Sequence, residues 1–142
     1  MNLLKPRNVK YDKMHKGRIK VKYKQKNSQV TFGSFGIKSI EAGKLTYNQI
    51  ESFRRTITNN TKRKVKIWIK AFPNTSITSK AIGVRMGKGK GAVKYWVYKV
   101  YPGNVLFELS GQNLDLVERA IKKAGHKLPI KFTVVRTFKY IN

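Results

Sequence analysis

Seven consecutive residues, Arg85-Met86-Gly87-Lys88-Gly89-Lys90-Gly91, carry the clearest chemistry in this chain. Three cations are interleaved with three glycines, and no acid or nucleophile interrupts them. Glycine at every second position lets the backbone adopt φ > 0 and lie close to another surface. Arg85 offers a planar fork that holds a phosphate through two hydrogen bonds or stacks on a base, while Lys88 and Lys90 act as point charges. The segment suits a phosphate-bearing surface, either RNA or a nucleotide.

Nucleotide-enzyme patterns fit it poorly. A P-loop needs Ser or Thr after Gly-Lys to hold magnesium, and here Gly89 and Gly91 follow the two Gly-Lys pairs. Gly87 to Ala92 matches G-x-G-x-x-[GA], but that fingerprint opens a helix after a strand, and an alternating strand follows here. General acid–base chemistry needs a positioned histidine or carboxylate. The chain has six carboxylates and two histidines, His15 and His126, far apart in sequence. There is no cysteine, so disulfides and thiolate chemistry are excluded. The expectation is a protein that is not an enzyme and has no cofactor or metal.

Charge points to the partner. The 142 residues hold 32 Lys+Arg against 6 Asp+Glu, a net +26. Such a chain repels itself unless a polyanion neutralises it. Between Glu51 and Glu108 there is no acid, yet the stretch carries Arg54, Arg55, Lys62, Arg63, Lys66 and Lys70 before it reaches the glycine loop. A merely solvated face mixes signs. Nucleic acid is the expected partner. No apolar run approaches the ~20 residues of a membrane span.

The elements that must position these groups follow from periodicity. Residues 1–28 form a basic arm with ten Lys/Arg and one acid, Asp12; it is expected to be unstructured without its partner. Lys10, Lys13, His15, Lys16 and Arg18 are its candidate contacts. Gln29 to Ile40 reads as two short strands with a bulge or bend at 33–36. Thr46 with Gln49 forms a capping box for a helix whose core face is Ile50, Phe53 and Ile57, fading by Asn59-Asn60. Lys64 to Phe72 alternates as a half-buried strand, Pro73 ends it, and residues 74–91 read as one long functional loop. Ala92 to Val100 and Val105 to Leu109 read as a hairpin about Pro102-Gly103-Asn104. Asn113 caps a second helix with the stripe Leu114, Val117, Ala120, Ile121 and Ala124, and Gly125 stops it. Ile130 to Phe138 is a last strand. Trp68 and Trp96 are expected to pack rather than serve as stacking platforms, and Glu108 to pair with basic neighbours. The fold class is α+β: two helices on one mainly antiparallel sheet, as a single domain over 29–142 with the arm before it.

These pieces, taken in order, resemble the large-subunit ribosomal protein sixteen family in its bacterial and organellar form, related to the archaeal and eukaryotic ribosomal protein ten. The resemblance runs from about Pro6 to about Thr137. It rests on Lys13-Met14-His15-Lys16-Gly17-Arg18, Phe32-Gly33-Ser34-Phe35-Gly36, and Lys66-Ile67-Trp68-Ile69-Lys70 with Phe72-Pro73. Val84 to Gly91, Tyr95-Trp96, Pro102-Gly103 and Lys127-Leu128-Pro129-Ile130-Lys131 complete the series. It implies an rRNA-binding protein of the large subunit, placed near the site of aminoacyl-tRNA accommodation. Arm and loop would reach into rRNA, the loop would approach tRNA near the peptidyl transferase centre, and the protein would join late in assembly. In some bacterial members the arginine matching Arg85 is hydroxylated. Implied partners are large-subunit rRNA, tRNA and neighbouring ribosomal proteins, without a membrane or a homo-oligomer. A free-standing RNA chaperone is the alternative within the RNA-binding class.

Four features depart from the family pattern. Val65 stands at a position that is commonly glycine, Ala71 replaces a larger aliphatic residue, and Ala81 replaces a common proline. Residues 22–28 are divergent and lysine-rich. The arm motif begins at Lys13, so no cleavable transit peptide is expected before it, and abundant Lys, Asn and Ile suggest AT-rich coding. The expected home is an organelle-encoded mitochondrial ribosome, with plastid and bacterial cytoplasm as alternatives.

Overall fold

The computed structural model describes residues 4–19 and 28–137. Arm residues 20–27, and Phe138 at the end of the expected last strand, lie outside the described residues.

The order of elements is β1 (Phe35–Ser39), β2 (Gly43–Thr46), α1 (Tyr47–Asn60), β3 (Lys66–Ile69), β4 (Thr75–Ser79), β5 (Ala92–Val100), β6 (Val105–Ser110), α2 (Leu114–Gly125) and β7 (Phe132–Arg136). The α+β class holds: two helices accompany antiparallel strands. The strands form two sheets rather than one, ordered β3-β6-β1-β7 and β2-β5-β4. The expected β5–β6 hairpin is therefore absent. The turn between these strands does form, with Gly103 at φ 89° and its N–H bonded to the Ser39 carbonyl at 2.7 Å. Beyond it the chain passes into the other sheet, because both edges of β6 are taken by β1 and β3 and both edges of β5 by β2 and β4.

Both helices begin where their caps place them. The Thr46 N–H donates to Gln49 Oε1 at 2.9 Å and the Gln49 N–H returns to Thr46 Oγ1 at 3.4 Å, satisfying two N–H groups left unpaired by the first turn. Asn113 Oδ1 accepts from the Leu116 N–H at 3.0 Å. Ile50, Phe53 and Ile57 of α1 are buried, as are Val117, Ala120, Ile121 and Ala124 of α2. Leu114 stays exposed and does not join the stripe. Phe53 joins α1 to the four-stranded sheet: its ring stacks on Phe107 at 4.3 Å and meets Phe132 edge-on at 6.5 Å.

Two further expectations change. Residues 75–79 of the long loop form β4, paired with β5 from Thr75↔Val97 to Ser79↔Ala92; a Thr-Ser-Ile-Thr-Ser strand has no apolar alternation to announce it. Gln29 to Ile40 yields one strand rather than two; the expected bend is present at residues 32–34, and a register shift against β6 falls at Ile37/Lys38. Gly125 ends α2 as expected, followed by the cap at His126. Its role is close packing, since a Cβ there would sit 2.7 Å from the Phe132 ring.

Candidate nucleic-acid interface

The glycine loop, residues 80–91, emerges from the β4–β5 pair with every residue from Lys80 to Lys90 exposed. Met86 is 93% exposed and Ile82 fully so. Gly87 and Gly89 take φ of 80° and 78° in open space, the left-handed region that side chains with a Cβ disfavour. Gly91 anchors the loop differently: a Cβ there would lie 2.3 Å from the Ser79 carbonyl oxygen, so glycine permits the strands to close. Arg85 and Lys88 make no ion pair among the described residues.

Lys90 is different. Its ammonium donates to the Met14 carbonyl of the arm, while the Lys13 ammonium donates to the Lys90 carbonyl at 3.0 Å. The Met14 N–H adds a bond to Ser76 Oγ on β4 at 3.2 Å. Residues 4–19 contain no helix or strand, yet this part of the arm is docked on the foot of the loop. Lys10, His15, Lys16 and Arg18 are exposed beside these contacts, with the Lys10 ammonium 5.6 Å over the Tyr11 ring. Arm and loop thus form one continuous cationic surface.

The body cations divide into three settings. Arg54 and Arg55 both bond Glu51, at 2.7 and 2.8 Å. The Arg54 hydrogen bond is the main reason the Glu51 carboxyl lies at about 2, well below its ordinary 4.5; Arg55 adds to this and partial burial opposes it. Lys62 and Arg63 follow α1 at φ 48° and 63°, with N–H groups reaching back to the Asn59 and Thr58 carbonyls. Two consecutive left-handed non-glycine residues are strained. They put two exposed cations at the negative end of the helix dipole.

Lys66 and Lys70 border an aromatic pair. Lys66 sits 5.1 Å over Trp68, which stacks on Phe32 at 6.1 Å, and Lys70 lies 5.7 Å from the Phe32 ring. Lys70 is not free of an acid. Its ammonium bonds Glu108 at 2.6 Å, and Glu108 is fully buried. A buried carboxylate requires such a partner. The same carboxylate accepts from the N–H groups of Thr31, Phe32 and Gly33. Burial works to raise its pKa, but Lys70 and these N–H groups prevail and hold it at about 2.

Trp96 is buried, as packing predicts, and Trp68 is half-buried against Phe32. Phe32, 58% exposed, is a surface aromatic that the residue pattern did not single out; it lies outside the alternating strand used to find Trp68. Among the described residues no cluster of His, Asp or Glu is arranged to hold a metal, and no helix is long and apolar enough to cross a membrane.

A protruding glycine-cation loop, an arm docked to its foot and cations spread over one small α+β body give the protein a surface suited to a polyanion. The family model for ribosomal protein L16p/L10e matches residues 6–135. The large ribosomal subunit protein uL16 of Psychrobacter arcticus is 48% identical over 134 residues, covering 94% of this chain and 97% of the relative. The uL16 of Psychrobacter cryohalolentis matches to the same extent. The chain belongs to the ribosomal protein L16p/L10e family, a structural constituent of the large ribosomal subunit that works in translation and is not an enzyme. Its partners are accordingly rRNA and other ribosomal proteins.

Proposed function

We propose that the arm and body cations hold large-subunit rRNA while the loop Arg85–Gly91 faces tRNA near the peptidyl transferase centre, and that the protein joins the subunit late in assembly. The observation that carries the reading is the exposed loop, with Arg85 and Lys88 free of ion pairs among the described residues and its foot braced by Lys13 and Met14. A charge held on a braced loop can be presented to a partner with little ordering cost at the moment of contact. Lys10, Lys13, His15, Lys16 and Arg18 extend the same surface along the arm, and Arg54, Arg55, Lys62, Arg63 and Lys66 extend it over the body.

The test is the Arg85→Ala variant in ribosomes. Aminoacyl-tRNA accommodation should slow more than subunit assembly; equal loss of both would contradict a tRNA-facing loop. Deletion of residues 1–18 should act mainly on assembly, and a normal subunit yield would count against that role for the arm. Both relatives named above are bacterial, which supports a bacterial cytoplasmic ribosome as the home of the chain. Neither lends support to the mitochondrial expectation.

A further inference from the structure

A cleft of about 870 Å³ lies between the arm and the three-stranded sheet, beside the foot of the glycine loop but lined by none of residues 80–91. One wall is formed by arm residues between Leu4 and Lys13, the other by Tyr47 and the first five residues of β5. Its volume falls within the ~300–1,000 Å³ typical of small-ligand sites. Lys5 and Arg7 stand on the arm side and Lys94 on the sheet side; none is in an ion pair among the described residues. Asp12 is the one carboxylate in the lining, so the cleft is strongly positive. Trp96, buried, and Tyr95, 39% exposed, both belong to its lining.

Cations on both sides and an exposed aromatic in the lining match the chemistry of unpaired nucleic acid, whose phosphates seek charge and whose bases seek a stacking partner. Paired RNA keeps its bases inside the helix and presents mainly phosphates and 2′-hydroxyls. An acidic peptide would satisfy the cations but leave the aromatic without a stacking partner. We propose that this cleft takes one unpaired nucleotide of RNA, its base against Tyr95 and its phosphate between Arg7 and Lys94. The proposal rests on the rRNA-binding reading above and adds a second point of contact to it.

The experiment uses the full chain with two labelled probes, octaadenylate and a short RNA duplex, each titrated across a range of salt. Tyr95→Ala should weaken octaadenylate binding roughly tenfold, the loss of one stacked base, and leave the duplex unchanged. Tyr95→Phe should bind octaadenylate as the unaltered chain does and guards against a folding defect. Arg7→Ala should reduce the salt slope by about one. Unchanged octaadenylate binding by Tyr95→Ala, or equal losses on both probes, would overturn the cleft while leaving rRNA binding intact. Displacement of octaadenylate by octaglutamate at equal concentration would make the cleft a site for acidic chains and overturn the proposal. Binding of neither RNA by the unaltered chain would overturn the underlying reading together with it.

Discussion

Lys13 and Lys90 brace one another's backbone: the Lys13 ammonium donates to the Lys90 carbonyl at 3.0 Å, and the Lys90 ammonium donates to the carbonyl of Met14, next to Lys13. Each ammonium is thereby satisfied by a main-chain oxygen rather than by an acid. The arm is thus the strut of the loop.

Lys13→Ala should therefore loosen the loop without unfolding the protein. Limited trypsin digestion after Arg85 and Lys88 should speed up severalfold, with a stability change within about 0.5 kcal/mol, as for other exposed substitutions. Adding Lys90→Ala should bring less than the sum of the two single effects, because both substitutions remove the same brace. Cleavage at the unaltered rate would sink the strut.

Glu108 makes stability depend on pH in acid. Its folded pKa of about 2 lies below the ordinary 4.5, so its contribution is fully present above 4.5 and lost as pH falls towards 2. That contribution is on the order of 3 kcal/mol. Glu108→Gln should leave the Lys70 ammonium unpaired, destabilise the protein at neutral pH by about 3–5 kcal/mol and flatten the urea midpoint between pH 5 and 3. Glu51 titrates in the same direction but is only partly buried, so Glu51→Gln should keep most of the slope. A Glu108→Gln midpoint that still falls steeply in acid would contradict this assignment.

The two kinds of loop glycine should respond differently to alanine. Gly87→Ala meets open space and bears only the cost of φ 80°, about 1 kcal/mol. Gly91→Ala would collide with the Ser79 backbone and should cost more, in the 1–3 kcal/mol range of overpacked sites. Thermal midpoints rank the two, and a larger fall for Gly87→Ala would reverse the explanation.

Glu51→Gln releases two guanidinium groups on α1. If Arg54 and Arg55 meet rRNA phosphates, affinity for RNA should rise and the slope of log affinity against log salt should steepen by about one. Loss of stability should stay within about 1 kcal/mol, because exposed pairs contribute little. Unchanged RNA affinity would remove these two arginines from the interface.

Both helices, β5 and β6 were legible because their signals are local. A cap and its partner lie three residues apart, and an amphipathic face repeats within one or two turns. The loop was legible as chemistry because its seven residues are contiguous, and the ordered motifs carried the family. β4 was hidden because its polar residues become a strand only when β5 supplies the ladder. The two-sheet arrangement was hidden because the turn at Gly103 is equally compatible with a hairpin or a crossing.

By itself, then, the sequence determined the composition of this protein: a +26 chain whose charge requires a polyanion, with a glycine-cation loop that no nucleotide enzyme motif fits. Which cations are free was decided by tertiary structure. Lys70 is turned onto Glu108 across 38 positions of sequence, and Lys13 onto Lys90 across 77. The physical reason is that electrostatic and hydrogen-bond partners are selected by distance in space. Local periodicity specifies the faces of an element but not which distant residue will lie against them.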